Sequence, residues 1–124
     1  MGDIPKRLYL AGPMSGVPGH NFPLFHRVAG VLRARGFEVF NPAENKDGGV
    51  PQTRAYYMRL DIPALLECEG VVLLPGWRQS RGASLEVWLA IDLDLALYEY
   101  SIAGDDVLLE RIAPPRIARM PFMD

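Results

Sequence analysis

The chain has 124 residues, 49% of them hydrophobic and 23% charged, which is the balance of one ordinary globular domain and not of a disordered or fibrous chain. Thirteen Lys and Arg against fifteen Asp and Glu leave a formal charge of -2, so there is no net positive field to hold a nucleic-acid polymer. The single cysteine, Cys68, excludes an intrachain disulfide and a cysteine-based zinc cage, and Leu65-Leu66-Glu67-Cys68-Glu69 reads as the end of a buried helix with an inert thiol.

Met1 to Lys6 carries no apolar stretch behind its charges, and no run reaches the roughly 18 residues that span a bilayer, so the expectation is a cytoplasmic protein without a membrane partner. Leu8-Tyr9-Leu10-Ala11 is a short apolar run stopped by Gly12-Pro13, the pattern of a buried strand entering a loop that holds Gly12, Gly16 and Gly19. A helix is predicted from Asn21-Phe22-Pro23, with Phe25, Val28, Ala29 and Leu32 on one face and Gly36 as its end. Phe37 to Phe40 is the second predicted strand, closed by Asn41-Pro42, and the polar, glycine-rich segment to Gln52 reads as a mobile loop.

Thr53 is placed to cap the next helix, in which Pro63 predicts a kink or two short helices, with Asp61 at the junction as a possible cap. Val71-Val72-Leu73-Leu74 is continuous rather than alternating, as expected of a central parallel strand covered on both faces, and Pro75-Gly76 breaks it. The loop Trp77 to Arg81 leads into a helix from about Gly82 to Leu93, followed by a fourth strand from Leu95 to Ser101; the tail from Gly104 is less regular. Strands separated by helices predict a single α/β domain spanning 1–124. Its core is an open parallel sheet of four to five strands with helices on both faces, a flavodoxin-like or Rossmann-like three-layer sandwich. Such sheets bind ligands outside the carboxyl ends of their strands, where Gly12 to Gly19 and Trp77 to Arg81 both fall.

Glu86, near the start of its helix, can face that crevice or can simply complement the helix dipole. Tyr9 can reach a carboxylate at the neighbouring strand end or serve as a core aromatic, and Asp61 is either a cap or the second carboxylate of a site. Amides of the glycine loop, with Ser15, Ser80 and Arg81, can hold a phosphate or sugar hydroxyls, although the glycine spacing matches neither the dinucleotide fingerprint nor a Walker loop. His20 and His26 have no partner at ligand spacing, so no metal is expected, and Trp88 lies on the periodic face of its helix.

Together, Tyr9-Leu10-Ala11-Gly12-Pro13, Asp61 and Ser80-Arg81-Gly82-Ala83-Ser84-Leu85-Glu86 resemble the nucleoside 2-deoxyribosyltransferase superfamily, which also contains nucleoside 5'-monophosphate N-glycosidases. Within it the chain is most similar to the DUF4406 branch, with its Leu-Leu-Pro-Gly-Trp strand end and Ser-x-Gly-Ala-x-x-Glu turn, over roughly residues 7 to 100. The resemblance implies Glu86 as the nucleophile, Tyr9 as the residue that positions it, and Asp61 as an associated site aspartate. Gly12, Pro13, Ser15, Gly16, Ser80, Arg81 and Gly82 would then bind a nucleoside or nucleotide without a cofactor. The transferases tend to carry aspartate where this chain has Ser80, as the monophosphate hydrolases do not; yet the hydrolases' first-loop serine and arginine align with Pro13 and Ser15. The family also implies a homodimer or larger assembly whose neighbouring subunit completes the pocket. A carboxylate that captures an oxocarbenium-like centre as a glycosyl ester fits this chemistry, and the alternative is a non-catalytic nucleotide-binding or sensing module on the same fold.

Overall fold

Alternating side chains along the first strand divide the interior into two apolar layers. In a computed structural model of the chain, which describes residues 3–46, 48–50 and 52–115, β1 (Arg7–Ala11) sends Leu8 and Leu10 to one face of the sheet and Tyr9 and Ala11 to the other. Helix α1 (Phe22–Ala34) covers the first face with Phe25, Val28, Ala29 and Leu32, the apolar stripe expected from its spacing. After it come β2 (Glu38–Phe40), α2 (Arg54–Glu67), β3 (Gly70–Leu73), α3 (Arg81–Asp92), β4 (Ala96–Ala103) and β5 (Asp106–Ile112). Leu65 of α2 and Val87 and Ala90 of α3 pack on the second face, against Tyr9, Ala11, Val71, Leu73 and Leu97.

The five strands lie in the order β2-β1-β3-β4-β5, with β1 to β4 parallel and β5 antiparallel on β4. The expected three-layer α/β sandwich is therefore present, and β3 is buried along its whole length, as the unbroken apolar run required. Among the described residues no helix is long and apolar enough to cross a membrane.

Three expectations need correction. Pro63 neither splits nor ends its helix: α2 runs from Arg54 to Glu67, and Asp61 lies in its interior instead of at a junction. Proline removes one bond, to the carbonyl of Arg59, but both residues are exposed, so water can take that carbonyl while Leu65 keeps the last turn in the core. The tail is more regular than its sequence suggested, because Asp106–Ile112 returns along β4 after a turn in which Gly104 adopts a φ of 64°. Residues 116–124 of that tail lie outside the described residues. Trp88, expected in the core, is only half-buried.

The segment after β2, read as a mobile loop, is tied to both neighbouring helices where it is described. Arg33 of α1 donates two hydrogen bonds of 2.7 Å to Glu44, and the Tyr56 hydroxyl of α2 donates to the carbonyl of Lys46 at 2.8 Å.

Candidate active site

Glu86 occupies a place in α3 that the helix reserves for apolar residues. Ala83, Glu86, Val87 and Ala90 recur at helical spacing and are all buried, so the carboxylate points into the layer between helix and sheet. The start of α3 is firmly set: the Ser80 side chain accepts from the amide of Ala83 at 3.1 Å, and the Ser84 hydroxyl reaches the carbonyls of Trp77 and Arg78 at 3.1 and 3.2 Å. Beneath the helix the Tyr9 hydroxyl, carried on β1, donates a hydrogen bond to Oε2 of Glu86. The Tyr9 ring is fixed in turn by stacking on Phe40, with ring centroids 5.4 Å apart and planes within 8°.

Asp61 enters the same layer from α2, again at a buried helical position. Its Oδ1 accepts a hydrogen bond of 2.6 Å from Nδ2 of Asn45. Strand β1, helix α2 and helix α3 thus bring Tyr9, Asp61 and Glu86 together from distant parts of the sequence. Neither carboxylate has an ion-pair partner among the described residues.

That arrangement makes both acids weak. Burial pushes Glu86 up to about 8; the negative charge of Asp61 adds to the rise, while the Tyr9 hydrogen bond and the positive charge of Arg54 oppose it. Burial likewise pushes Asp61 up to about 6, against the opposing hydrogen bond from Asn45. Burial, with the two carboxylates nearby, holds the Tyr9 hydroxyl well above the usual phenol range, so it remains a donor. Between about pH 6 and 8 the two carboxyl groups together hold one proton.

The other expected site residues are not drawn into this cluster by any hydrogen bond among the described residues. Gly12 is a packing requirement, since a Cβ there would lie 2.7 Å from Cβ of Leu74. The carbonyl of Pro13 accepts from Asn21 Nδ2 at 3.0 Å, whereas Ser15 and Gly16 are exposed, Gly16 with a φ of 78°. The Ser80 oxygen is engaged in capping, Arg81 is exposed, and Gly82 faces the sulfur of Met58, 3.7 Å from where a Cβ would stand. Asn45 and Arg54 were missed by sequence reasoning. Asn45 is one polar residue in a polar loop and gives no signal, but Arg54 precedes Asp61 by two helical turns and is on the same side of α2.

A hollow of about 280 Å³ lies at the carboxyl end of β3 and beside the middle of β4, where Trp77, with the Arg78 guanidinium 4.6 Å above its ring, meets Glu99 and Tyr100. A second, of about 360 Å³, lies among Arg7, Glu38, Phe40 and Cys68. Neither is lined by Glu86, Tyr9 or Asp61, and the two carboxylates are 5% and 7% exposed. Among the described residues no three His, Cys, Asp or Glu side chains are grouped to hold a metal ion. The Cys68 thiol is pushed up to about 11 by burial, and the charge of Glu67 adds to this, which leaves it unreactive near neutrality.

No curated protein matches the chain. Residues 6–99, which include all of β1, α2, β3 and α3 and so the whole Tyr9-Asp61-Glu86 cluster, match the family described as "Domain of unknown function (DUF4406)", and the chain belongs to that family.

Proposed function

We propose that this protein is an N-glycosidase that releases or exchanges the base of a nucleoside or nucleoside 5'-monophosphate through a covalent glycosyl-Glu86 intermediate. The observation that carries the reading is the buried pair Glu86 and Asp61, joined through Glu86 to the Tyr9 hydroxyl and lacking any ion-pair partner among the described residues. Two carboxyl groups without an ion-pair partner in an apolar layer weaken the fold, and buried acids whose pKa values are raised in this way concentrate at functional sites. The resemblance to the nucleoside 2-deoxyribosyltransferase superfamily supports the same assignment of roles. It also supports a homo-oligomer in which a neighbouring subunit completes the pocket.

The chemistry needs Glu86 as carboxylate and Asp61 as carboxylic acid; near neutrality the resting pair holds one proton, on Glu86, and that proton passes to Asp61 before attack. A Glu86 oxygen attacks C1' of the sugar, the bond from C1' to the base nitrogen breaks with its electron pair going to the base, and Asp61 supplies the proton that the base takes up. Water then attacks C1' of the ester, Asp61 takes a proton from that water, and Glu86 departs as a carboxylate. Two displacements at one carbon retain its configuration. An acceptor base in place of water gives base exchange by the same steps. Tyr9 steadies the Glu86 carboxylate throughout.

One observation favours a second reading, a nucleotide-binding or sensing module without turnover: the pair is covered and stands apart from both hollows. Chromatography of reactions with a panel of nucleosides and 5'-monophosphates separates the two. Free base from the wild-type protein, reduced at least about a thousandfold in Glu86→Gln, is the expected result. A nucleotide that binds by calorimetry but yields no base over hours supports the sensor instead.

A further inference from the structure

Asn45 is the one side chain that hydrogen-bonds Asp61 among the described residues, and it is held more firmly than its place in a loop suggests. On its N-terminal side the turn Pro42–Glu44 is capped by the Asn41 side chain, which accepts from the amide of Ala43 at 3.0 Å, and Glu44 is gripped by Arg33. On its C-terminal side the carbonyl of Lys46 is bound by the Tyr56 hydroxyl. The amide is therefore presented to Asp61 from a backbone anchored to α1 and to α2, and a contact of 2.6 Å is short for a nitrogen donor, as expected when the acceptor is charged.

A side-chain N–H engages an oxygen that bears no proton. With Nδ2 of Asn45 on Oδ1, the proton of the acid form resides on Oδ2. We infer that Asn45 is a positioning residue for Asp61: it fixes Oδ1 as the permanent acceptor and leaves Oδ2 as the oxygen through which Asp61 gives and takes its proton. The kinetic consequence rests on the N-glycosidase reading; the hold on Asp61 does not. The charged or titratable groups that influence the pair from neighbouring elements are Glu86 on α3, Tyr9 on β1 and Arg54 on α2 itself, and all of them remain when Asn45 is changed.

The test is a titration of the full chain labelled with carbonyl carbon-13 aspartate, observed by NMR from pH 4 to 9, with the Asp61 signal assigned by its loss in Asp61→Asn. Removing the donor in Asn45→Ala is expected to raise the Asp61 midpoint by about one unit, and Asn45→Gln, which keeps an amide one methylene further out, to raise it less. Should Asn45→Ala not fold, Asn45→Ser is measured against Asn45→Gln on the same terms. If the wild-type protein releases base, Asn45→Ala is also expected to lower kcat about tenfold with KM nearly unchanged, and to move the acid limb of the pH profile up by the same unit. An Asp61 midpoint that does not move, or that moves equally in the Ala and Gln variants, overturns the assignment, even if stability falls. Base release by no protein, with the midpoint still shifted, removes the glycosidase reading and leaves Asn45 as the holder of Asp61.

Discussion

The two faces of the same sheet are built to opposite ends. The face under α1 is closed by Leu8, Leu10, Phe25, Val28, Leu32, Val72 and Leu74, a layer in which every one of these side chains is apolar and essentially inaccessible. The face under α2 and α3 uses the same alternation of β1 and β3 and the same kind of helical stripe, yet places Tyr9, Asp61 and Glu86 among Leu65, Val71 and Val87. The first face supplies stability at any pH; the second gives some up to keep two acids out of water. The difference lies in a few positions of an otherwise similar apolar pattern.

Phe25→Ala should show the largest effect on the stabilising face. Emptying a fully buried aromatic position costs about 3–5 kcal/mol, read as a lower midpoint in urea unfolding, and a loss below about 1 kcal/mol would break the contrast between the faces.

On the other face the sign reverses. Glu86 is ordinarily half-ionised near 4.5 but is raised to about 8 when folded, so its burial costs nothing below pH 4.5, and the cost grows as pH rises to 8. Glu86→Gln should therefore stabilise the protein by up to about 4 kcal/mol at pH 8 and by little at pH 4, measured as paired unfolding curves across that range. A gain independent of pH would mean that Glu86 is not held protonated by burial.

The smallest effect is expected for Tyr9→Phe, which keeps the ring on Phe40 and deletes one hydrogen bond. Base release should slow by roughly tenfold, and the midpoint of Glu86 should rise because the bond that opposed its protonation is gone. An unchanged rate would assign Tyr9 to packing alone.

The apolar periodicities were legible in the sequence: the run at β3, the stripe on α1 and the glycine stop after β1 all lie where spacing put them, because burial of a covered strand or a helix face imposes a pattern that nothing else imitates. What misled were features settled by tertiary contacts. Pro63 reads as a break until its exposed position in α2 is known, and β5 is settled by its pairing with β4 and by the burial of Val107 in the layer under α1. Of the site, Glu86 and Asp61 had a signal that was underused: each is an acid at an apolar position of its helical stripe. Asn45 had none, because a loop asparagine gains meaning only from the carboxylate across from it. The binding residues expected around the glycine loop rested on residue type and on the family resemblance; in the fold the Pro13 carbonyl accepts from the Asn21 side chain and the Ser80 side chain caps α3.

The attack of Glu86 on a sugar is the central claim, and it leaves a covalent mark. Wild-type protein mixed with a substrate nucleoside or 5'-monophosphate, quenched in acid within milliseconds to seconds and digested for mass spectrometry, should yield the peptide containing Glu86 heavier by the mass of the glycosyl group, and Glu86→Gln should yield none. Base released with no adduct on that peptide, or with the adduct on another residue, would contradict the account.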